Sequence, residues 1–228
     1  TLGTTLVFKG ISTSLIPDPL GRVYFHRHPQ GWWMPGGASN TGTEWIGRDH
    51  PGEDLDELNR GAEPRLPTGL LRYPLAKRGE RFPFTHPGAE GFMVGETRDP
   101  LDCFAAGLEG LAFFERMTYD ELARIGLEVG PRVYITGGGT RSHLWSRLRA
   151  SVLSKTLVQP RVTETAMGAA VLAAAGCWYG SVSRSSAELV RIAAIFEPEP
   201  AWEGLYADRY GDFRAEFVRR GYLEGEAR

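Results

Sequence analysis

The chain has 228 residues, 42% of them hydrophobic, and its 26 Lys and Arg against 28 Asp and Glu give a formal net charge of -2. This length and composition predict a folded chain with a substantial core and exclude a disordered one, and the charge gives no electrostatic case for nucleic acid or an anionic membrane. Two cysteines, Cys103 and Cys177, argue against a disulfide framework and for a reducing cytoplasm, and no apolar run has the length of a bilayer span or the make-up of a signal peptide.

The first third predicts strands and turns. Leu2 to Lys9 is rich in Thr, Val and Phe. Pro17-Asp18-Pro19-Leu20-Gly21 is turn chemistry, and Arg22 to His26 resumes a strand, so a hairpin is the simplest expectation. Trp32 to Asn40 is punctuated by Pro35-Gly36-Gly37, and the polar, acidic stretch from Arg48 to Thr68 predicts a surface excursion around a short helix.

The second half takes a helical period. Asp99-Pro100 is an N-cap and first-turn pair, after which Leu101, Phe104, Leu108, Leu111 and Ala112 share one face. Thr118 to Glu121 has the form of a capping box that opens another helix. Arg132 to Thr136 predicts a short strand between Pro131 and three glycines, and Ser142 caps a helix with Leu144, Trp145, Leu148 and Val152 on its apolar face. Leu157-Val158 is a short strand, Thr163 opens a small-residue helix over Ala166 to Ala175, and Ser185 with Glu188 forms another capping box. Trp202, Tyr206, Tyr210, Phe213 and Phe217 fall at helical spacing in the tail, a stripe expected to be core. Strands first and then helix-strand-helix alternation predict an α/β domain with one mixed sheet flanked by helices.

The run Gly137-Gly138-Gly139 between a strand and a helix can bring backbone against a ligand, and free N–H groups at a helix start suit phosphate. It is neither G-x-G-x-x-G nor a P-loop, and by itself it equally describes a tight turn. Gly3-Thr4 could likewise offer an N–H and a hydroxyl to a phosphate oxygen, or be an ordinary pair of hairpin residues.

Four segments together resemble the C-terminal domain of the FGGY carbohydrate kinases, in the actin-like ATPase superfamily with its ribonuclease H-like fold. They are Leu2-Gly3-Thr4-Thr5; Tyr73-Pro74-Leu75 with Gly79-Glu80-Arg81-Phe82-Pro83; Leu108-Glu109-Gly110-Leu111-Ala112; and Gly137 to Trp145 followed by Glu164 to Ala170. They cover most of residues 1 to about 190, and the xylulose-kinase-like members are nearest in character. The resemblance implies the nucleotide-binding half of an ATP-dependent sugar kinase, with Mg2+ carried on the ATP. Gly137 and Gly138 would lie against the adenosine, Ser142 would reach the base or ribose edge, and Gly3 and Thr4 would hold the terminal phosphates. Gly42, in the loop Gly36 to Gly42, would contact the nucleotide from another wall. Gly168, Ala169 and Ala170 would let their helix approach the sheet.

On this resemblance residues 1–228 form one C-terminal domain, with the excursion at about 48–68 and a helical extension at about 198–228. The chain starts without Met, as a fragment would, and an N-terminal domain carrying the catalytic Asp and most of the sugar site is expected outside it. No catalytic residue is expected within it. The alternative is a non-catalytic actin-fold domain that binds nucleotide or assembles with partners. Expected partners are ATP, a sugar, the N-terminal domain and a second copy in a homodimer. His26 and His28 could share a strand face but lack a third ligand, so no metal site is expected. Trp32 and Trp33 are expected in the core or at a domain interface, and both cysteines are expected to be buried.

Overall fold

A computed structural model describes residues 1–224, apart from the Glu203 side chain. The last four residues of the expected tail extension lie outside the described residues.

Three strands open the chain: β1 (Val7–Lys9), β2 (Tyr24–Arg27) and β3 (Trp33–Ala38). The expected β1–β2 hairpin does not form. Both strands pair antiparallel with β3, which lies between them. Proline and glycine ordinarily argue against a central strand. Here they fit because neighbouring side chains occupy the space above them. A Cβ on Gly36 would stand 2.5 Å from Lys9 Nζ, and one on Gly37 would enter the Phe8 ring. Pro35 lacks an N–H, but its carbonyl accepts from Gly10 N at 2.9 Å.

Helix α1 (Glu44–Asp49) leads into the excursion, and α2 (Leu55–Ala62), capped by Asp54, lies within it. Strands β4 (Leu71–Tyr73) and β5 (Phe92–Val94) form an antiparallel pair. Helix α3 (Pro100–Arg124) then runs unbroken for 25 residues from the Asp99 cap. The helix start expected at Thr118 is absent. Thr118 Oγ1 turns back to the Phe114 carbonyl at 3.2 Å, and Asp120 accepts from the Tyr210 hydroxyl. Gly107 and Gly110 let α3 approach its neighbours, since a Cβ would collide with the Trp45 ring at the first and the Arg72 carbonyl at the second.

The remaining elements are β6 (Arg132–Tyr134), α4 (His143–Leu153), β7 (Thr156–Pro160), α5 (Ala166–Ala174), α6 (Val182–Leu189), β8 (Ile192–Phe196) and α7 (Pro200–Arg219). Strand β7 pairs parallel with β6 and antiparallel with β8, a strand the sequence reading did not anticipate. Helix α6 is capped by Ser181, whose Oγ accepts from Arg184 N at 3.2 Å. Ser185 is instead buried inside it and donates to the Val171 carbonyl at 2.8 Å. The tail aromatics are core as expected: Tyr206, Phe213 and Phe217 are fully buried against α3 and β4.

Two packing expectations fail on the α5 arm. Gly168, Ala169 and Ala170 are exposed, with nothing near a Cβ at Gly168, so they do not bring the helix onto the sheet. Cys177 is exposed, beside a Trp178 that is 81% exposed. No single helix among the described residues is long and apolar enough to cross a membrane. The expected single mixed sheet is divided into three. The first and third are joined at one point, where Val7 N donates to the Thr1 carbonyl at 2.9 Å and Leu2 N to the Thr136 carbonyl at 2.8 Å.

Candidate functional site

Three loops meet beside that junction. The hairpin tip Gly3–Thr5 follows Leu2, the loop Ser39–Thr43 follows β3, and the glycine turn follows the carboxyl end of β6. Leu2 is fully buried and fixes the first to the third, because its carbonyl accepts from Gly139 N at 3.0 Å. Gly3 fixes the first to the second, its carbonyl accepting from Thr43 N at 2.9 Å. The expected site residues Gly3, Thr4, Gly42, Gly137 and Gly138 are therefore gathered on one side of the sheet junction.

The glycines there answer to different constraints. Gly137 has φ +92°, and a Cβ on it would lie 2.5 Å from the Leu2 carbonyl oxygen. A Cβ on Gly139 would lie 2.6 Å from the Leu2 side chain. A Cβ on Gly42 would strike the Thr4 carbonyl, so the absence of its side chain is accounted for by backbone packing. A Cβ on Gly138 would meet nothing within 4 Å, its backbone is not in the left-handed region, and it is exposed. No feature of the protein's own packing requires glycine there.

Polar groups divide in the same way. Gly3 N–H bonds the Thr5 carbonyl at 3.2 Å. The N–H groups of Thr4, Thr5 and Gly138 have no partner among the described residues. These donors at a hairpin tip and a turn can receive an anion or a polar edge, because an unpaired backbone N–H is a strong donor. Ser142 Oγ accepts from Trp145 N at 3.1 Å, confirming the expected cap, and donates to Asn59 Oδ1 at 2.8 Å. One lone pair of that hydroxyl remains unused.

Sequence reasoning missed two residues of this region. Asn59 brings α2 over the glycine turn, and a polar residue in an excursion carried no signal of that contact. Glu80 is buried and holds the second loop: Oε1 accepts from Asn40 N at 2.6 Å and Arg81 N at 2.9 Å, while Oε2 accepts from Thr41 Oγ1 at 2.7 Å and Tyr73 OH at 2.9 Å. Burial, followed by the Glu80 charge, pushes the Tyr73 hydroxyl well above its usual value, so it remains a donor. Glu80 stands within Gly79-Glu80-Arg81, which signalled the family but not this role.

Other candidates separate. His26 Nδ1 lies 3.1 Å from Lys9 Nζ, and the His28 ring stacks on Trp32 with centroids 4.9 Å apart. Among the described residues no group of three His, Cys, Asp or Glu is placed to hold a metal. Trp33 lies beneath Arg27, and Trp32 is 36% exposed.

Comparison with known proteins identifies the family and the fold. The family model described as "FGGY family of carbohydrate kinases, C-terminal domain" matches residues 1–177. A xylulose kinase from Staphylococcus epidermidis is 26% identical over an alignment of 179 residues, and the match covers 76% of this chain and 36% of that protein. The crystal structure of a xyloylose kinase from Brucella ovis superposes with a TM-score of 0.85 at 25% identity, covering 98% of this chain and 47% of its own. A Plasmodium falciparum glycerol kinase solved with ADP shares the fold, with a TM-score of 0.80 at 19% identity over 98% of this chain and 46% of that one. The chain thus spans between about a third and a half of these relatives. Its split mixed sheet flanked by helices is the actin-like ATPase fold of such kinases. The chain belongs to the FGGY family of carbohydrate kinases, over the C-terminal domain of that family.

Proposed function

We propose that this chain is the nucleotide-binding half of an ATP-dependent kinase that phosphorylates a sugar or polyol hydroxyl. The observation that carries the reading is Gly138. It is the one glycine of its turn that the chain's own packing leaves unexplained, and it presents bare backbone with a free N–H beside the Thr4–Thr5 donors. In this reading Gly137 and Gly138 form a shelf for the adenosine of ATP. The Gly3-Thr4 tip receives the terminal phosphates, and the unused lone pair of Ser142 meets the base or ribose edge. Gly42 contributes by letting the second loop close on Thr4.

ATP brings the phosphoryl group, and Mg2+ travels with it. The work of this chain is to hold and orient, which is the main source of catalysis in phosphoryl transfer. The Asp that takes the hydroxyl proton, and most of the sugar site, belong to a segment outside this chain, so the chain alone does not turn over sugar. The protein works in the cytoplasm. The face around Trp32 and Trp33 meets the other half or a second copy in a homodimer.

The test is titration calorimetry with ATP and ADP on the wild type and Gly138→Val. A branched side chain on the open shelf should weaken both nucleotides at least about tenfold while the thermal midpoint hardly moves. Equal affinities would overturn the assignment.

A further inference from the structure

Asn59 stands on α2 and Ser142 at the start of α4, 83 positions apart in sequence, and their side chains bond at 2.8 Å. A second contact runs beside it, from Arg147 Nη1 on α4 to Glu63 Oε1 directly after α2, also at 2.8 Å. Two contacts one turn apart fix α2 along α4 and hold the Asn59 amide beside the glycine turn. Asn59 lies outside the four segments that carry the family resemblance.

The direction of the Asn59–Ser142 bond is decided by its neighbours. The other end of the amide lies 2.7 Å from the Leu55 carbonyl, which can only accept. That end is therefore the amino group, and the amide oxygen faces Ser142. The Ser142 hydroxyl must donate to it. Trp145 N–H, 3.1 Å from Oγ, occupies one lone pair of the same oxygen. A single acceptor position is left. An unattached serine hydroxyl can rotate to give or to take a hydrogen bond, but this one can only take.

Nucleobases divide on that property. Adenine carries its exocyclic amino group, a donor, where hypoxanthine and guanine carry a carbonyl oxygen, an acceptor. Against an acceptor-only hydroxyl the amino group gains a hydrogen bond. The carbonyl sets lone pair against lone pair and leaves both unsatisfied. Ser142 is half-buried, so water makes good only part of that loss.

We propose that Asn59 is a positioning residue that fixes the polarity of Ser142, and that the site thereby selects a nucleobase bearing an amino group at this edge over one bearing a carbonyl. Asn59 acts through Ser142 and does not itself touch the base. The inference rests on the nucleotide reading above and adds what that reading leaves open, the choice among bases and the residue that makes it.

The test measures dissociation constants for ADP, inosine diphosphate and 2′-deoxy-ADP by titration calorimetry on the wild type, Asn59→Leu and Ser142→Ala. The wild type should bind ADP at least about tenfold more tightly than inosine diphosphate. In Asn59→Leu the Ser142 proton loses its acceptor and the hydroxyl becomes free to donate, so the ratio should fall to about threefold or less through a gain for inosine diphosphate. Ser142→Ala should reach a similar ratio through a loss for ADP. Each ratio is taken within one protein, so a loosened α2 or a lost α4 cap moves both constants together and leaves the ratio alone. Equal affinities in the wild type would overturn the proposal, as would a preference that survives Asn59→Leu. A wild-type loss with 2′-deoxy-ADP as large as that with inosine diphosphate would put the ribose at Ser142 and overturn it too. Gly138→Val separates the two readings. Equal binding of ADP and inosine diphosphate that this substitution abolishes defeats the base choice and keeps the nucleotide site, whereas a wild type that binds neither defeats both.

Discussion

Gly36 and Gly37 lie in the middle of a central strand, whereas Gly137, Gly138 and Gly139 form a turn at the end of one. At the first site both missing side chains are replaced by neighbours, the Lys9 ammonium and the Phe8 ring. At the second, Leu2 accounts for the two outer glycines, and the middle one opens on free space. Glycine-rich sequence therefore marks two different things in this molecule: room taken by the protein itself, and room left for something else. Only the second is a reason to look for a ligand, and within the run it falls on a single residue.

Substitution can break this contrast. The largest effect is expected for Gly137→Ala, which combines a left-handed backbone with a collision against main chain that has no freedom to move. A loss of about 3 kcal/mol or more should appear as a lower urea midpoint at an unchanged slope. Gly37→Ala should cost less, about 1–3 kcal/mol, because the obstacle is a ring that can rotate away. Its readout is the same denaturation curve. Gly138→Ala should stay within about 0.5 kcal/mol of the wild type. A cost at Gly138 equal to that at Gly137 would make the open shelf a structural necessity and remove the contrast on which the candidate site stands.

Part of this was legible in the sequence, and the successes share a cause. Asp99 and Ser142 cap the helices they were expected to cap, because each stands before a helical run and bonds N–H groups within its own next turn. The failures came where a local signal met a longer-range demand. Thr118 and Glu121 have the spacing of a helix start, yet no breaker precedes them. The helix continues through and the Thr118 hydroxyl turns back to it. Ser185 lost its capping role to Ser181 and was buried. Strand β3 was hidden because its proline and glycines are explained only by side chains on β1 and β2. Glu80 and Asn59 act across 39 and 83 positions of chain, and no local pattern records such partners. The gathering of Gly3, Gly42 and Gly137 was legible only through the family resemblance.

Leu2 has a further consequence. Its carbonyl holds Gly139 and its side chain fills the space over that residue, while its own N–H is tied to Thr136. The hairpin tip and the glycine shelf thus cannot slide independently, and one buried leucine serves as the fixed bar of a caliper whose jaws are Thr4 and Gly138. On the proposed nucleotide reading, the fixed span between these jaws sets the length of the molecule that can lie across them.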